Sequence, residues 1–353
     1  MARAIPTERV YLSGLGKDDA VSWRFMCTTG ALSGFWTNIP VPSNWDVKGF
    51  GHLTYKKDYS NSITECGLYE KNFAAPKKWN DQRVFLVFDG AMTDTSAKLN
   101  GVSVGPTHQG GFYRFKYEVT DKLKLGAENK LEVTVAKHSA NDSVNKAERL
   151  ADYWVFGGIF RPVFLEAMPK AFIDYVGIDA KADGKFSIQA WTKGLSQNAT
   201  IVTTITDANK KIVGTLKVPV EKLAENVIAT AQIPNIKTWT SETPNLYNAN
   251  VVLLDATGKK LYELNEKFGF RTIEIKYGQG IYINGTQVKM KGANRHCWWP
   301  ETARALSKEQ ELQDALLIKE MNMNAVRCSH YPPDKYFLQL CDSLGIYVLN
   351  ELA

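Results

Sequence analysis

Through most of the first 167 positions, apolar and polar residues alternate one by one, which marks half-buried strands. Leu131, Val133 and Val135 alternate with Glu132 and Thr134, and Tyr113, Phe115, Tyr117 and Val119 alternate with Arg114, Lys116 and Glu118. Arg83–Phe88 is a nearly continuous apolar run. Asn100-Gly101 is a hairpin-turn signal, and Gly110-Gly111 and Gly157-Gly158 punctuate loops. Many short strands with such punctuation predict a β-sandwich over residues 1–167, and its size suits a jelly roll. Residues 168–275 repeat the pattern on a smaller scale, with strands at 201–206 and 251–254 and turns at Asp183-Gly184, Asn209-Lys210 and Thr257-Gly258. That spacing predicts an immunoglobulin-like sandwich. A further hairpin is expected at Asn284-Gly285, leading into the last part of the chain.

Residues 276–353 change period and read strand, helix, strand, helix, strand. A strand is expected at 288–291, followed by a loop from Gly292 to Pro300. Ser307-Lys308-Glu309-Gln310 is a capping box, and Leu312, Ala315, Leu316 and Lys319 form the predicted inner stripe of the helix that follows. Ala325-Val326-Arg327-Cys328 is the second strand. Tyr336, Phe337, Leu340, Cys341 and Leu344 mark the second helix, Gly345 its stop, and 346–349 the third strand. Such alternation predicts parallel strands with right-handed crossovers. Asn294, Arg295 and His296, then Arg327, Ser329 and His330, then Asn350 and Glu351 collect at the strands' carboxyl ends. A (β/α)8 barrel keeps its active site there. A doubly wound sheet does likewise, but Gly292-Ala293-Asn294-Arg295-His296 lacks its glycine fingerprint. A barrel needs about 250 residues. The expectation is an incomplete (β/α)8 TIM barrel, its first three strands only, in a piece of a longer protein.

Composition narrows the function classes. The 353 residues carry 43 basic and 37 acidic side chains, a net charge of +6 spread along the chain, so no basic arm points to nucleic acid. The five cysteines are scattered without paired spacing and indicate neither a disulfide framework nor a zinc site. No apolar run is long enough to span a membrane, and the N-terminus lacks a signal-peptide core. The location expected is cytoplasmic, or periplasmic with an export signal removed.

The order of several short motifs resembles the N-terminal part of the family 2 glycoside hydrolases, the group of β-galactosidases and β-glucuronidases. They are Val41-Pro42-Ser43-Asn44-Trp45, the loop from Asp152-Tyr153-Trp154 to Phe160-Arg161, Pro244-Asn245-Leu246-Tyr247, Phe268-Gly269-Phe270-Arg271, Lys291-Gly292-Ala293-Asn294-Arg295-His296, and Asn324-Ala325-Val326-Arg327-Cys328-Ser329-His330-Tyr331-Pro332. The resemblance implies a sugar-binding jelly roll of the galactose-binding type, an immunoglobulin-like sandwich and a catalytic barrel. It also implies retaining hydrolysis of a terminal β-linked sugar by two carboxyl groups, an acid/base and a nucleophile Glu. Both would come from later barrel strands, so no catalytic carboxylate is expected in this chain and both are expected beyond Ala353. Glu351 falls on strand three and is expected to support the site.

By the same resemblance His296 and His330 line the sugar pocket. Arg327 lies beside the nucleophile and keeps it ionised, and Asp152 reaches the sugar from the jelly roll. Trp298 and Trp299 are candidate stacking residues. Two departures bear on the choice of sugar. Cys297-Trp298-Trp299 replaces the Glu-His-His common in β-galactosidases, and Lys57 stands where they have a sugar-contacting Asn. No cofactor is expected in this chain; the resemblance implies a divalent cation in some full-length relatives, with ligands that begin just beyond Ala353. The expected partners are a carbohydrate substrate and, for the open barrel edge, either another copy of the chain or a missing C-terminal half. The rival reading is a non-catalytic carbohydrate-binding protein built from the two sandwiches.

Overall fold

The computed structural model describes residues 7–55, 60–150 and 154–353. In the first sandwich one sheet has the order Glu8–Tyr11, Val163–Met168, Arg83–Phe88, Phe115–Glu118. The other runs Thr37–Val41, Val21–Cys27, Cys66–Ala74, Glu128–Ala136, Asp94–Leu99, Val102–Ser103. The pleat turns Leu131, Val133 and Val135 inward, against Trp23, Phe25, Leu86 and Phe88. Asn100 and Gly101 have φ of 53° and 81°, as the tight hairpin turn requires. A helix at Asp142–Glu148, capped by Asn141, interrupts the all-β reading. It is too short for a helical period to emerge from the sequence.

The second sandwich packs Phe172–Ala180, Lys185–Lys193 and Asn226–Gln232 against a sheet of Ile212–Val220, Ala199–Thr206, Tyr247–Asp255 and Lys260–Phe268. Its core also holds Phe85, Val87 and Phe164 from the first sandwich. This accounts for the continuous apolar run at Arg83–Phe88. Val84, Leu86 and Phe88 face one core, and Phe85 and Val87 face the other.

In the third part Gly292–Arg295, Ala325–Cys328 and Tyr347–Leu349 pair in parallel, in that order. The first strand therefore lies four residues later than patterning predicts. Backbone closeness sets the register: a Cβ on Gly292 would sit 2.2 Å from the Ala325 carbonyl oxygen, so the pairing begins at the one residue that has none. Val326 and Cys328 point to the helix layer, where they meet Ala315, Ile318, Phe337 and Cys341. The capping box at Ser307 and Gln310 forms, and Gly345 ends the second helix at φ 72°. The inner stripe of the first helix differs from expectation: Glu311, Ala315 and Ile318 are buried, while Leu316 is exposed. Among the described residues no helix is long and apolar enough to cross a membrane.

The helix is turned because the first sandwich docks against its start. Met92, Phe112, Phe156 and Phe160 of the sandwich share an apolar cluster with Cys297, Ala303, Ala305 and Tyr331. Beside it lies a polar cavity of about 140 Å³, whose lining includes Asp89, Arg161, Lys308, Glu311 and Asp334. Glu311 is 5% exposed. Burial, then the Asp334 carboxylate, push its pKa from 4.5 up to about 8, against the pull of Arg295 and Arg161. Between those values the folded chain binds more protons than the unfolded one, so this group's contribution to stability falls as pH rises from 4.5 to about 8. Glu311→Gln should remove that slope. Thermal melts at pH 9 should then place the variant above the wild type by a few degrees, about 1 kcal/mol or more. Equal pH dependence in both proteins would show that Glu311 is not buried as described.

Candidate functional site

The sandwich fixes the loop that follows the first parallel strand. Buried Asn44 accepts a hydrogen bond from the Arg304 amide at 2.9 Å and donates to the Gly157 carbonyl at 3.0 Å. The Gly157 amide in turn donates to Asp46 at 2.8 Å. Asp46 pairs with Lys137, which also reaches Glu65 at 3.2 Å, and all three side chains are fully buried. Burial pushes the Asp46 carboxyl up to about 6, opposed mainly by the Lys137 charge. Arg161 donates to the carbonyls of Phe112 at 3.1 Å and Pro332 at 3.0 Å, and the Phe112 and Tyr331 rings stack at 4.2 Å. Both strand-end loops thus lie against one rigid sandwich edge.

Strand alternation places Arg327 on the face opposite Val326 and Cys328, away from the helices. Its guanidinium donates to Glu351, which follows the third strand, and lies 3.2 Å from His330 Nδ1. His330 Nδ1 is also 3.2 Å from the second Glu351 oxygen. Arg327, with help from His330, holds the Glu351 carboxyl below the usual carboxylate range, although burial opposes this. His296 meets His330 edge to face at 5.3 Å and lies 3.4 Å from the Tyr331 hydroxyl. Burial, then the charges of Arg304, His330 and Arg327, lower the His296 pKa, so its imidazole is neutral near pH 7. A neutral imidazole has one donor and one acceptor, which suits sugar hydroxyls.

An open cleft of about 280 Å³ adjoins this cluster, lined by Tyr55, Trp154, Phe156, His296, Trp298, Arg304 and Tyr331. Of the residues singled out from sequence, His296, Arg327 and His330 come together, and Trp298 lines the cleft. Trp299 does not line it; its backbone bonds to Ala303 instead and closes a turn. Asp152 and Lys57 lie outside the described residues. Ala353, the residue beyond which the catalytic carboxyl groups are expected, is no part of the polar group. It is half-buried and packs against the apolar cluster that holds Phe156 and Tyr331, two residues of the cleft lining. Arg295 is turned to the helix layer, where it bonds to Asp314 at 2.8 Å and lies 3.8 Å above the Phe337 ring. Sequence reasoning missed Tyr55, Trp154, Phe156, Arg304 and Tyr331. Trp154, Phe156 and Tyr331 lay within the quoted motifs, Tyr331 directly after His330; Tyr55 and Arg304 carried no signal.

The comparisons with known proteins follow the same order as the domains. Residues 31–169 match "Glycosyl hydrolases family 2, sugar binding domain", residues 169–271 match "Glycosyl hydrolases family 2", and residues 273–353 match "Glycosyl hydrolases family 2, TIM barrel domain". The chain belongs to glycoside hydrolase family 2. A β-galactosidase of Lactobacillus delbrueckii subsp. bulgaricus is 31% identical over 332 residues, covering 89% of this chain and 32% of that protein. A β-galactosidase of Thermoanaerobacter pseudethanolicus is 30% identical over 313 residues, 86% of this chain and 41% of that one. The crystal structure of a Bacteroides uniformis β-glucuronidase superposes with a TM-score of 0.82 at 27% identity, over 98% of this chain and 42% of that one. The chain therefore spans about a third to two fifths of these relatives.

Among the described residues no group of three or more His, Cys, Asp or Glu converges on a point, and Glu351 is engaged by Arg327 and His330. The Arg327–Glu351 contact gives a direct test. Replacing Arg327→Gln should raise the Glu351 pKa, read by carbon NMR titration of labelled glutamate carboxyls. An unmoved titration would show that the guanidinium does not hold this carboxylate.

Proposed function

We propose that this chain is the N-terminal part of a retaining β-glycosidase that removes terminal β-linked sugars, of the β-galactoside or β-glucuronide kind. Its share of the work is to bind and orient the sugar and to provide positive charge; both catalytic carboxyl groups come from residues that follow Ala353. The observation that carries this reading is the grouping of Arg327, His330, His296 and Glu351 at the ends of parallel strands, beside a cleft whose lining, among the described residues, contains no carboxylate. Retaining hydrolysis needs two carboxyl groups about 5–5.5 Å apart across the scissile bond. Glu351, already committed to Arg327 and His330, is one carboxylate and positions its neighbours. In the complete site Arg327 would stabilise the ionised nucleophile, because a nearby guanidinium favours the charged form of a carboxylate. The two imidazoles and the Tyr331 hydroxyl would hold sugar hydroxyls. A divalent cation is proposed only for the whole protein, and no step of this reading passes through it.

The reading is tested by hydrolysis of p-nitrophenyl β-galactoside and β-glucuronide. The 353-residue chain should show no turnover. The chain extended by its native downstream sequence should hydrolyse one of the two, with the β-anomer as first product. Turnover by the 353-residue chain that vanishes in Glu351→Gln would overturn the assignment of the carboxyl groups. A complete protein that binds sugar without hydrolysing it would favour the non-catalytic alternative.

A further inference from the structure

The polar cavity beside the joint of sandwich and barrel holds a thiol that the sugar chemistry does not use. Cys297 follows His296 in the loop after the first parallel strand, is 6% exposed, and lines this cavity of about 140 Å³. Exposed Tyr11 and Leu15 line it too, so the cavity meets solvent. Two observations separate Cys297 from an inert buried cysteine. The first is a cation against its sulfur. Arg295 Nη1 donates to the Cys297 sulfur at 3.2 Å, and Arg295 Nη2 has no hydrogen-bond partner among the described residues, although the side chain is 8% exposed. Burial disfavours the charged guanidinium, yet Cys297, Asp314 and Glu311 together raise its pKa. The second is an acid without a partner. Glu311 lines the same cavity, is almost wholly buried, and its carboxyl meets no hydrogen-bond or ion-pair partner among the described residues. Buried polar groups are normally paired, and one that is not calls for a reason such as a redox or catalytic role. The charges facing Glu311 are Asp89 and Arg161 of the sandwich, Asp334 of the second loop, Arg295 and Arg304 around the first loop, and Asp314 and Lys308 of its own helix.

We propose that Cys297 is a peroxide-reactive thiol: the cavity admits a small hydroperoxide, Arg295 positions the sulfur, and Glu311 gives the proton that the departing oxygen takes. A water needs only about 10–15 Å³ of accessible volume, so hydrogen peroxide or a small organic hydroperoxide has room beside the sulfur. The sulfur, its own proton given to solvent, attacks the terminal oxygen of the hydroperoxide. An S–O bond forms as the O–O bond breaks; the sulfur is oxidised and the peroxide reduced by one electron pair. The departing hydroxide or alkoxide takes the carboxyl proton of Glu311 and leaves as water or alcohol, and solvent reprotonates Glu311. Burial keeps that proton in place at pH 7, because it pushes the Glu311 pKa up to about 8. The unpaired Arg295 Nη2 supplies a further donor beside the oxidised sulfur. The other cysteines lack this setting. Burial pushes the thiols of Cys27, Cys328 and Cys341 up to about 12 and raises that of Cys66. Reactive cysteines sit beside positive charge within reach of solvent, whereas buried structural ones are inert. Oxygen added at Cys297 acts on the loop that carries His296 and Trp298, its two chain neighbours. The proposal does not rest on the glycosidase reading.

The test exposes the 353-residue chain to hydrogen peroxide at pH 7, stops the reaction with catalase, and unfolds the protein in dimedone so that access does not limit the trap. Peptide mass spectrometry then gives the rate of sulfenate formation at each cysteine. Cys297 should react several-fold faster than Cys66, although Cys66 is the only one of the five that is not buried. Glu311→Gln, which keeps the shape but has no acidic proton, should slow Cys297 at pH 7. At pH 9, where Glu311 has lost its proton, the variant and the wild type should react alike, a change that a merely structural role would not produce. Arg295→Met should also slow Cys297, and Arg295→Lys, which keeps the charge, should react faster than Arg295→Met. The comparison of Cys297 with Cys66 in the wild type needs no variant, so it stands even where a substitution prevents folding. Faster reaction at Cys66 than at Cys297 would overturn the proposal. Equal rates at pH 7 in the wild type and a folded Glu311→Gln would overturn the proton transfer on which it depends.

Discussion

One buried side chain joins the part of the molecule that is all sheet to the part that alternates. Asn44, inaccessible to solvent, takes the amide of Arg304 and gives its own N–H to Gly157. A backbone amide buried without an acceptor costs roughly 1–3 kcal/mol, so the loop and the sandwich edge are stable in this form only together. The support beneath Asn44 is ionic. Lys137 lies between Asp46 and Glu65 without solvent, and Trp45 donates to Glu65 at 2.6 Å. Removing one partner from such a cluster costs more than the cluster itself contributes, because a buried charge is then left unpaired. Gly157 completes the joint. A Cβ there would stand 2.1 Å from the Trp45 ring, so the loop can lie against the sandwich only as glycine.

The chemistry at the strand ends inherits that rigidity. Tyr331 stacks on the Phe112 ring at 4.2 Å, the Arg304 guanidinium lies 4.2 Å from its ring centre and 5.2 Å from that of Phe112, and its hydroxyl reaches His296. The sandwich thereby sets the ring that orients one imidazole, while the strand register sets Arg327 and, through it, His330 and Glu351. A site whose members are held from two directions keeps its geometry before a sugar arrives, which lowers the ordering cost of binding. The polar cavity around Glu311 lies beside the same joint, and burial there raises the Glu311 pKa.

Local pattern carried most of the fold into view. The alternating strands, the turn at Asn100-Gly101, the capping box at Ser307 and the helix stop at Gly345 all depend on near neighbours, and all formed as their residue types dictate. The failures depend on distant partners. The first parallel strand slid by four residues because Gly292 must lie against the Ala325 carbonyl, a contact across 33 positions. The first barrel helix turned an acid inward because a sandwich edge waits there. At the site, Arg327 and His330 were legible as a strand end and its loop. The pairing of Tyr55 with Trp154 was not, since it spans about a hundred residues and leaves no periodic trace.

The central claim is that the sandwich, through Asn44, holds the loop carrying His296, Trp298 and Arg304 in place. Amide hydrogen exchange in Asn44→Ala, compared with the wild type, tests it most directly. Exchange should quicken at the amides of Ala303, Arg304 and Ala305, while those of the strand Ala325–Cys328 keep their protection. Unchanged protection across that loop would contradict the account.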